Sequence, residues 1–159
     1  MAIYPIRTFG DPVLRTPAAE VTDGAESLQR LVDGMLETMY EAPGVGLAAP
    51  QIGISKAIFV ADVGEGPFAM VNPEIVELSG SWTFDEGCLS VPGHYWSIKR
   101  PGYCKARGTD IHGNEVVYEG EELMGRVLQH EIDHLNGMLL LERLPTSCWG
   151  PLKAYSVSS

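Results

Sequence analysis

His130-Glu131-Ile132-Asp133-His134 sets two imidazoles four residues apart, with a carboxylate directly after the first. On a helix four residues make about one turn, so both rings face the same way and can share one metal ion. Glu131 then projects close enough to handle the proton of a water activated at that ion. A tetrahedral ion that keeps one position open needs a third protein ligand. Cys88, in Glu86-Gly87-Cys88-Leu89-Ser90, is the candidate, and its glycine neighbour allows a close backbone approach beside the thiolate. A third segment, Gly44-Val45-Gly46-Leu47-Ala48-Ala49-Pro50-Gln51, is built of small residues that let a ligand or another backbone pack closely, and it ends on an amide that can donate a hydrogen bond. Taken singly, two chance histidines on a surface helix, a buried cysteine and a small-residue turn would account for each segment.

The elements that must position these residues follow from periodicity. Leu28, Leu31, Val32, Met35, Leu36 and Met39 recur at helical spacing and predict an amphipathic helix over Ser27–Tyr40, with Ser27 or Asp23 as its cap. A second helix is predicted over Glu121–Asn136, with Leu123, Val127, Leu128, Ile132 and Leu135 on its apolar face and Gly137 as its stop. Between them lie short β-prone runs, Ala57–Val63, Phe68–Val71, Ile75–Leu78 and Ser81–Phe84, then a hairpin of Tyr103–Ile111 with Glu115–Tyr118. Leu139–Leu141 reads as a last strand. The proline-studded stretch Ile3–Glu20 reads as an extended surface arm, and His94 and His112 as exposed residues in turns. Antiparallel strands plus helices, without βαβ alternation, predict an α+β fold.

Composition narrows the function. The 159 residues fit one domain, 1–159, with an irregular tail from about 145. Eleven basic against 21 acidic side chains give a net charge of −10, and neither half offers a basic stripe, which argues against direct nucleic-acid binding. No apolar run approaches the roughly 20 residues that span a bilayer. The opening residues mix Pro5, Arg7 and Gly10 and do not read as a leader, so a soluble, cytoplasmic protein is expected. Three cysteines, Cys88, Cys104 and Cys148, form no disulfide framework; Cys104 reads as buried in a strand and Cys148 as a free thiol of the tail.

In this order and at these separations, GVGLAAPQ (Gly44–Gln51), EGCLS (Glu86–Ser90) and QHEIDHLNG (Gln129–Gly137) resemble the three signature motifs of the peptide deformylase family. The similarity runs from about Arg7 to Leu144. It implies antiparallel β-sheets packed around a central helix that carries the HExxH motif. It also implies a metal-dependent hydrolase that removes the N-formyl group from N-formyl-methionyl polypeptides and releases formate. Cys88, His130 and His134 would ligate the metal, and Glu131 would act as general base and then acid. Gln51 and the Leu89 backbone N–H would hold the oxyanion. Val45, Gly46 and Val127 stand where the family places substrate contacts, and Glu86 would pair with Arg100 to brace the Cys88 loop. The implied ion is Fe2+, with Zn2+, Ni2+ or Co2+ able to occupy the site. A transient ribosome contact belongs to some members through a charged C-terminal helix, which PTSCWGPLKAYSVSS does not resemble. Where some relatives carry an arginine beside the substrate, this chain has His94-Tyr95-Trp96, which predicts altered peptide contacts through Tyr95 or Trp96. HExxH also marks zinc endopeptidases. Those usually take a third ligand downstream of the helix, whereas here only Glu142 among acidic residues, and no histidine, follows His134.

Overall fold

The computed structural model describes residues 3–143. Among these residues, seven strands and two α-helices follow in the order α1 (Ala25–Glu41), β1 (Gly46–Ala48), β2 (Ile58–Ala61), β3 (Phe68–Ser79), β4 (Trp82–Cys88), β5 (Val91–Arg100), β6 (Tyr103–Thr109), β7 (Glu115–Glu121) and α2 (Glu122–Leu135). Every strand pair is antiparallel; β1-β2-β3-β6-β7 form one sheet and β4-β5 a separate ribbon. The α+β class with antiparallel sheets and two helices stands as expected.

Strand β2 shows why the sheet has a helix on either side. All four of its residues are buried, and side chains alternate across a strand. Ile58 and Val60 join Leu28, Val32, Met35 and Met39 of α1, while Phe59 and Ala61 join Val127, Leu128, Ile132 and Leu135 of α2. A third cluster, Phe9, Leu14, Val91, Ile98, Leu139 and Leu140, ties the N-terminal arm to the ribbon and to the chain after α2.

Several local expectations change. Helix α1 starts two residues earlier than predicted: its cap is Gly24, which has no side chain to bond with, and the expected cap Asp23 accepts instead from Lys56 Nζ at 2.6 Å. The runs Phe68–Val71 and Ile75–Leu78 are one strand, β3. Pro73 does not end it, because a bulge between Val71 and Glu74 takes up the irregularity. Asn72 there has φ 51°, a conformation asparagine tolerates, and its amide clamps both backbone groups of Val21 at 2.8 and 3.1 Å. Leu139–Leu141 is not a strand: Leu140–Arg143 forms a 3-10 turn whose Leu140 packs into the third cluster. Strand β5 was not foreseen, so His94 lies in a strand and not in a turn, though it is exposed, as is His112. The arm Ile3–Glu20 holds a proline-started 3-10 turn, Pro12–Arg15, capped by Asp11. Gly137 has φ 74°, as a helix stop requires. Cys104 is buried in β6, and Cys148 lies outside the described residues.

Candidate active site and metal centre

The site is built where α2 meets the ends of β1 and β4. One helix turn carries His130 and His134, whose Nε2 atoms stand 3.2 Å apart. Cys88 closes β4, and its Sγ lies 3.2 Å from His134 Nε2. The three donor atoms fall within 4.8 Å of one another, so sequence positions 88, 130 and 134 converge on one point. One sulfur and two imidazole nitrogens form a donor set that suits zinc or ferrous iron. The group also meets the second requirement of a metal site, because His130 Nδ1 is held 2.7 Å from Glu86 Oε2, which orients the ring and leaves Nε2 for the ion.

Glu86 is the centre of a buried ion network. Arg100 grips it with two bonds, 2.9 and 2.7 Å, and Arg126 adds a third at 3.0 Å. Arg100 also reaches Asp133 at 2.7 Å, and Asp133 is held in turn by Arg143 at 2.9 and 2.6 Å. Burial opposes ionisation of Glu86, but the His130 and Arg100 contacts prevail and hold its carboxyl far below the ordinary range. The expected Glu86–Arg100 pair is therefore present. Asp133 and Arg126 were not foreseen. Asp133 sits inside the HExxH motif, and Arg126 lies one turn before His130 on the same helix face, a spacing that could have pointed to it.

Charge in the centre follows the same logic. Burial pushes the Cys88 thiol up, yet the adjacent His134 and His130 bring it well below its ordinary value, toward the thiolate that ligates metals. Burial alone would discharge His130, but Glu131 and Cys88 raise it well above the ordinary imidazole value. Glu131 is raised by burial, against the pull of His130 and His134, and its Oε1 is buried without a hydrogen-bond partner.

The remaining expected residues gather around this centre. A cleft of about 770 Å³ is lined by Val45, Gly46, Gln51, Cys88, Leu89, Val127, His130 and Glu131, among others; His134 stands behind its wall. Gln51 is fixed at both ends of its amide. Oε1 accepts from the Ala48 N–H at 2.9 Å, and Nε2 donates to Ser90 Oγ at 3.2 Å and lies 3.7 Å from Cys88 Sγ. Gly46 is required by space. A Cβ there would stand 2.6 Å from Glu131 Oε2 and 2.8 Å from Val127 Cγ2. Leu89 packs its side chain where a Cβ on Gly44 would be, 2.8 Å from its Cδ1. Of the aromatic pair, Tyr95 lines the cleft, whereas Trp96 turns toward the third core cluster.

The comparisons with known proteins agree with this geometry. The model of the polypeptide deformylase family matches residues 3–148. The chain belongs to the polypeptide deformylase family. It is 56% identical over 144 residues to the peptide deformylase of Agathobacter rectalis, covering 91% of both chains. It is 50% identical over 143 residues to that of Clostridium botulinum, covering 90% of this chain and 97% of the relative. The crystal structure of peptide deformylase from Thermotoga maritima superposes with a TM-score of 0.88 at 47% identity, over 91% of this chain and 99% of the other. As in that family, the chain holds a candidate metal group, Cys88 with His130 and His134. Among the described residues no helix is long and apolar enough to cross a membrane.

Proposed function

We propose a division of labour among the cleft residues for the reaction of this family, a hydrolysis that takes the formyl group from the N-terminus of formyl-methionyl peptides. The observation that carries it is the placement of Glu131: a buried carboxyl with one oxygen unpartnered, lining the cleft beside three converging metal donors.

Cys88, His130 and His134 would hold the metal, and Fe2+ is the ion we assign, with Zn2+, Ni2+ or Co2+ able to replace it. Bound there, the ion supplies Lewis acidity that makes a water acidic and polarises the formyl carbonyl. Glu131 takes the proton of the attacking water as the new C–O bond forms at the formyl carbon. Its raised pKa suits a group that must then give that proton to the departing amine nitrogen as the C–N bond breaks. The products are formate and a free amino terminus. Gln51 Nε2 and the Leu89 N–H would donate to the oxyanion. What supports this for Gln51 is its place in the cleft wall, its amide held beside Cys88; Nε2 would turn an N–H from Ser90 Oγ or Cys88 Sγ to the oxyanion. Val45, Gly46 and Val127 would contact the formyl-methionine, a role supported by their place in the wall around Glu131.

We also read α2 as the central helix of the fold, since Gly125–Leu135 are all buried and α2 touches β1, β2, β3, β6 and β7. The whole chain, 1–159, is assigned to one catalytic domain, acting in the cytoplasm on newly made polypeptides, with transient contact at the ribosome and no membrane or nucleic-acid partner. The test is formate release from a short N-formyl-Met peptide by anaerobically prepared iron- or nickel-loaded protein. Turnover is expected; none from fully metal-loaded protein would overturn the assignment.

A further inference from the structure

Leu89 and Ser90 form the turn between β4 and β5, where Cys88 pairs with Val91 across the ribbon. The N-terminal arm pins that turn. The Phe9 N–H donates to Ser90 O at 2.8 Å, and two residues earlier the Arg7 N–H donates to Gln51 O at 2.6 Å. One short stretch of chain therefore holds the backbones of Ser90 and Gln51 in fixed relation, and their side chains meet in the interior, where both are almost wholly buried. The Gln51 amide is held so that it cannot turn over, because its Oε1 accepts from the Ala48 N–H. Its Nε2 carries two N–H groups. Two acceptors stand within their reach, Ser90 Oγ at 3.2 Å and Cys88 Sγ at 3.7 Å. Gln51 and Cys88 line the cleft, and Ser90 does not.

We infer that Ser90 is a positioning residue for the reaction: its hydroxyl oxygen keeps one N–H of the Gln51 amide, so that the other, facing Cys88, is the one that turns to the oxyanion. The inference rests on the deformylase reading and on the part proposed there for Gln51. The contact to sulfur is the longer of the two and so the one given up more readily. Without Oγ a buried N–H loses its partner, and the side chain gains orientations in which no donor is aimed at the developing charge. Standing behind the cleft wall, Ser90 reaches the substrate only through Gln51.

The test is a double-mutant cycle on metal-loaded protein, scored by formate release from a short N-formyl-Met peptide. Ser90→Ala is expected to lower kcat about three- to tenfold, with KM near the parent's and metal retention in a chelator competition unchanged. Gln51→Ala lowers kcat about a hundred- to a thousandfold. Adding Ser90→Ala to Gln51→Ala lowers it no further, because a residue that acts only through Gln51 then has nothing to position. Ser90→Thr and Ser90→Val, alike in shape and different in the hydroxyl, repeat the comparison without a packing difference, and decide it alone where the alanine variant loses the fold. The threonine variant should exceed the valine variant in kcat while Gln51 is present, and equal it once Gln51→Ala is added. An unchanged kcat in Ser90→Ala or Gln51→Ala, a Ser90→Ala loss that repeats in full on Gln51→Ala, or a loss that tracks weakened metal retention overturns the inference and leaves the deformylase reading intact. No formate from the fully loaded parent overturns both.

Discussion

The two helices have similar amphipathic patterns and bury very different things. α1 turns Leu28, Val32, Met35 and Met39 inward, and its one buried polar side chain, Thr38, donates to Gly34 O at 2.7 Å and accepts from the Tyr4 N–H at 2.9 Å. α2 buries every residue from Gly125 to Leu135, including Arg126, Gln129, His130, Glu131, Asp133 and His134. Hydrocarbon packed on hydrocarbon needs only shape. Buried charge needs partners, and α2 finds them for Arg126, His130 and Asp133 in Glu86, Arg100 and Arg143, contributed by the ribbon and the chain's last described turn, while Glu131 Oε1 is left without one. One helix therefore packs the sheet with hydrocarbon, while the other buries the groups proposed for the chemistry and relies on neighbours for its stability.

This contrast can be broken at its functional end first. Glu131→Ala, with metal content verified, is expected to lower kcat for formate release by at least about a hundredfold and up to about ten-thousandfold, leaving the unfolding midpoint near the parent's. An unchanged kcat would remove Glu131 from the mechanism. Arg100→Ala attacks the network instead, leaving Glu86 and Asp133 buried without their shared cation. Urea unfolding should show a loss of about 3–5 kcal/mol, accompanied by weaker metal retention in a chelator competition. On the α1 side, Met35→Ala empties a fully buried position and should cost about 2–5 kcal/mol in the same urea experiment. Here kcat/KM of the folded fraction should hold. A parallel fall in activity would mean that α1 also sets the site. Treating the holoprotein with a chelator should lower its melting temperature, because a metal held as proposed by Cys88, His130 and His134 would bind only their folded arrangement. The smallest effect belongs to the surface of α1. Arg30→Ala removes the exposed Arg30–Glu26 pair and should leave the unfolding midpoint unchanged within error.

The parts legible in the sequence are those governed by short periods. HExxH is readable because four residues make a turn, and α1 and α2 because their apolar positions recur at helical spacing. The α+β class follows from the same signals. Strand β5 escaped because it lies in a two-stranded ribbon, solvated on both faces over much of its length, so Pro92–Tyr95 show no alternation of apolar and polar residues. Pro73 misled in the opposite direction, since a bulge lets β3 pass through it. The Asp133–Arg100–Glu86 chain was only half visible. The Glu86–Arg100 link came with the family resemblance, but nothing local in Asp133 tells that it faces an arginine 33 residues away. The closeness of Cys88 to His130 and His134 is likewise a product of topology, in which the end of β4 is brought against α2.

Gly46 carries an evolutionary consequence. Every replacement there adds at least one carbon, and the first atom that carbon meets is an oxygen of Glu131. On the role proposed for Glu131, drift at this position of β1 would therefore be screened by turnover itself: a lineage that substituted it would displace its own proton carrier at once, and selection on catalysis would keep that stretch of backbone bare.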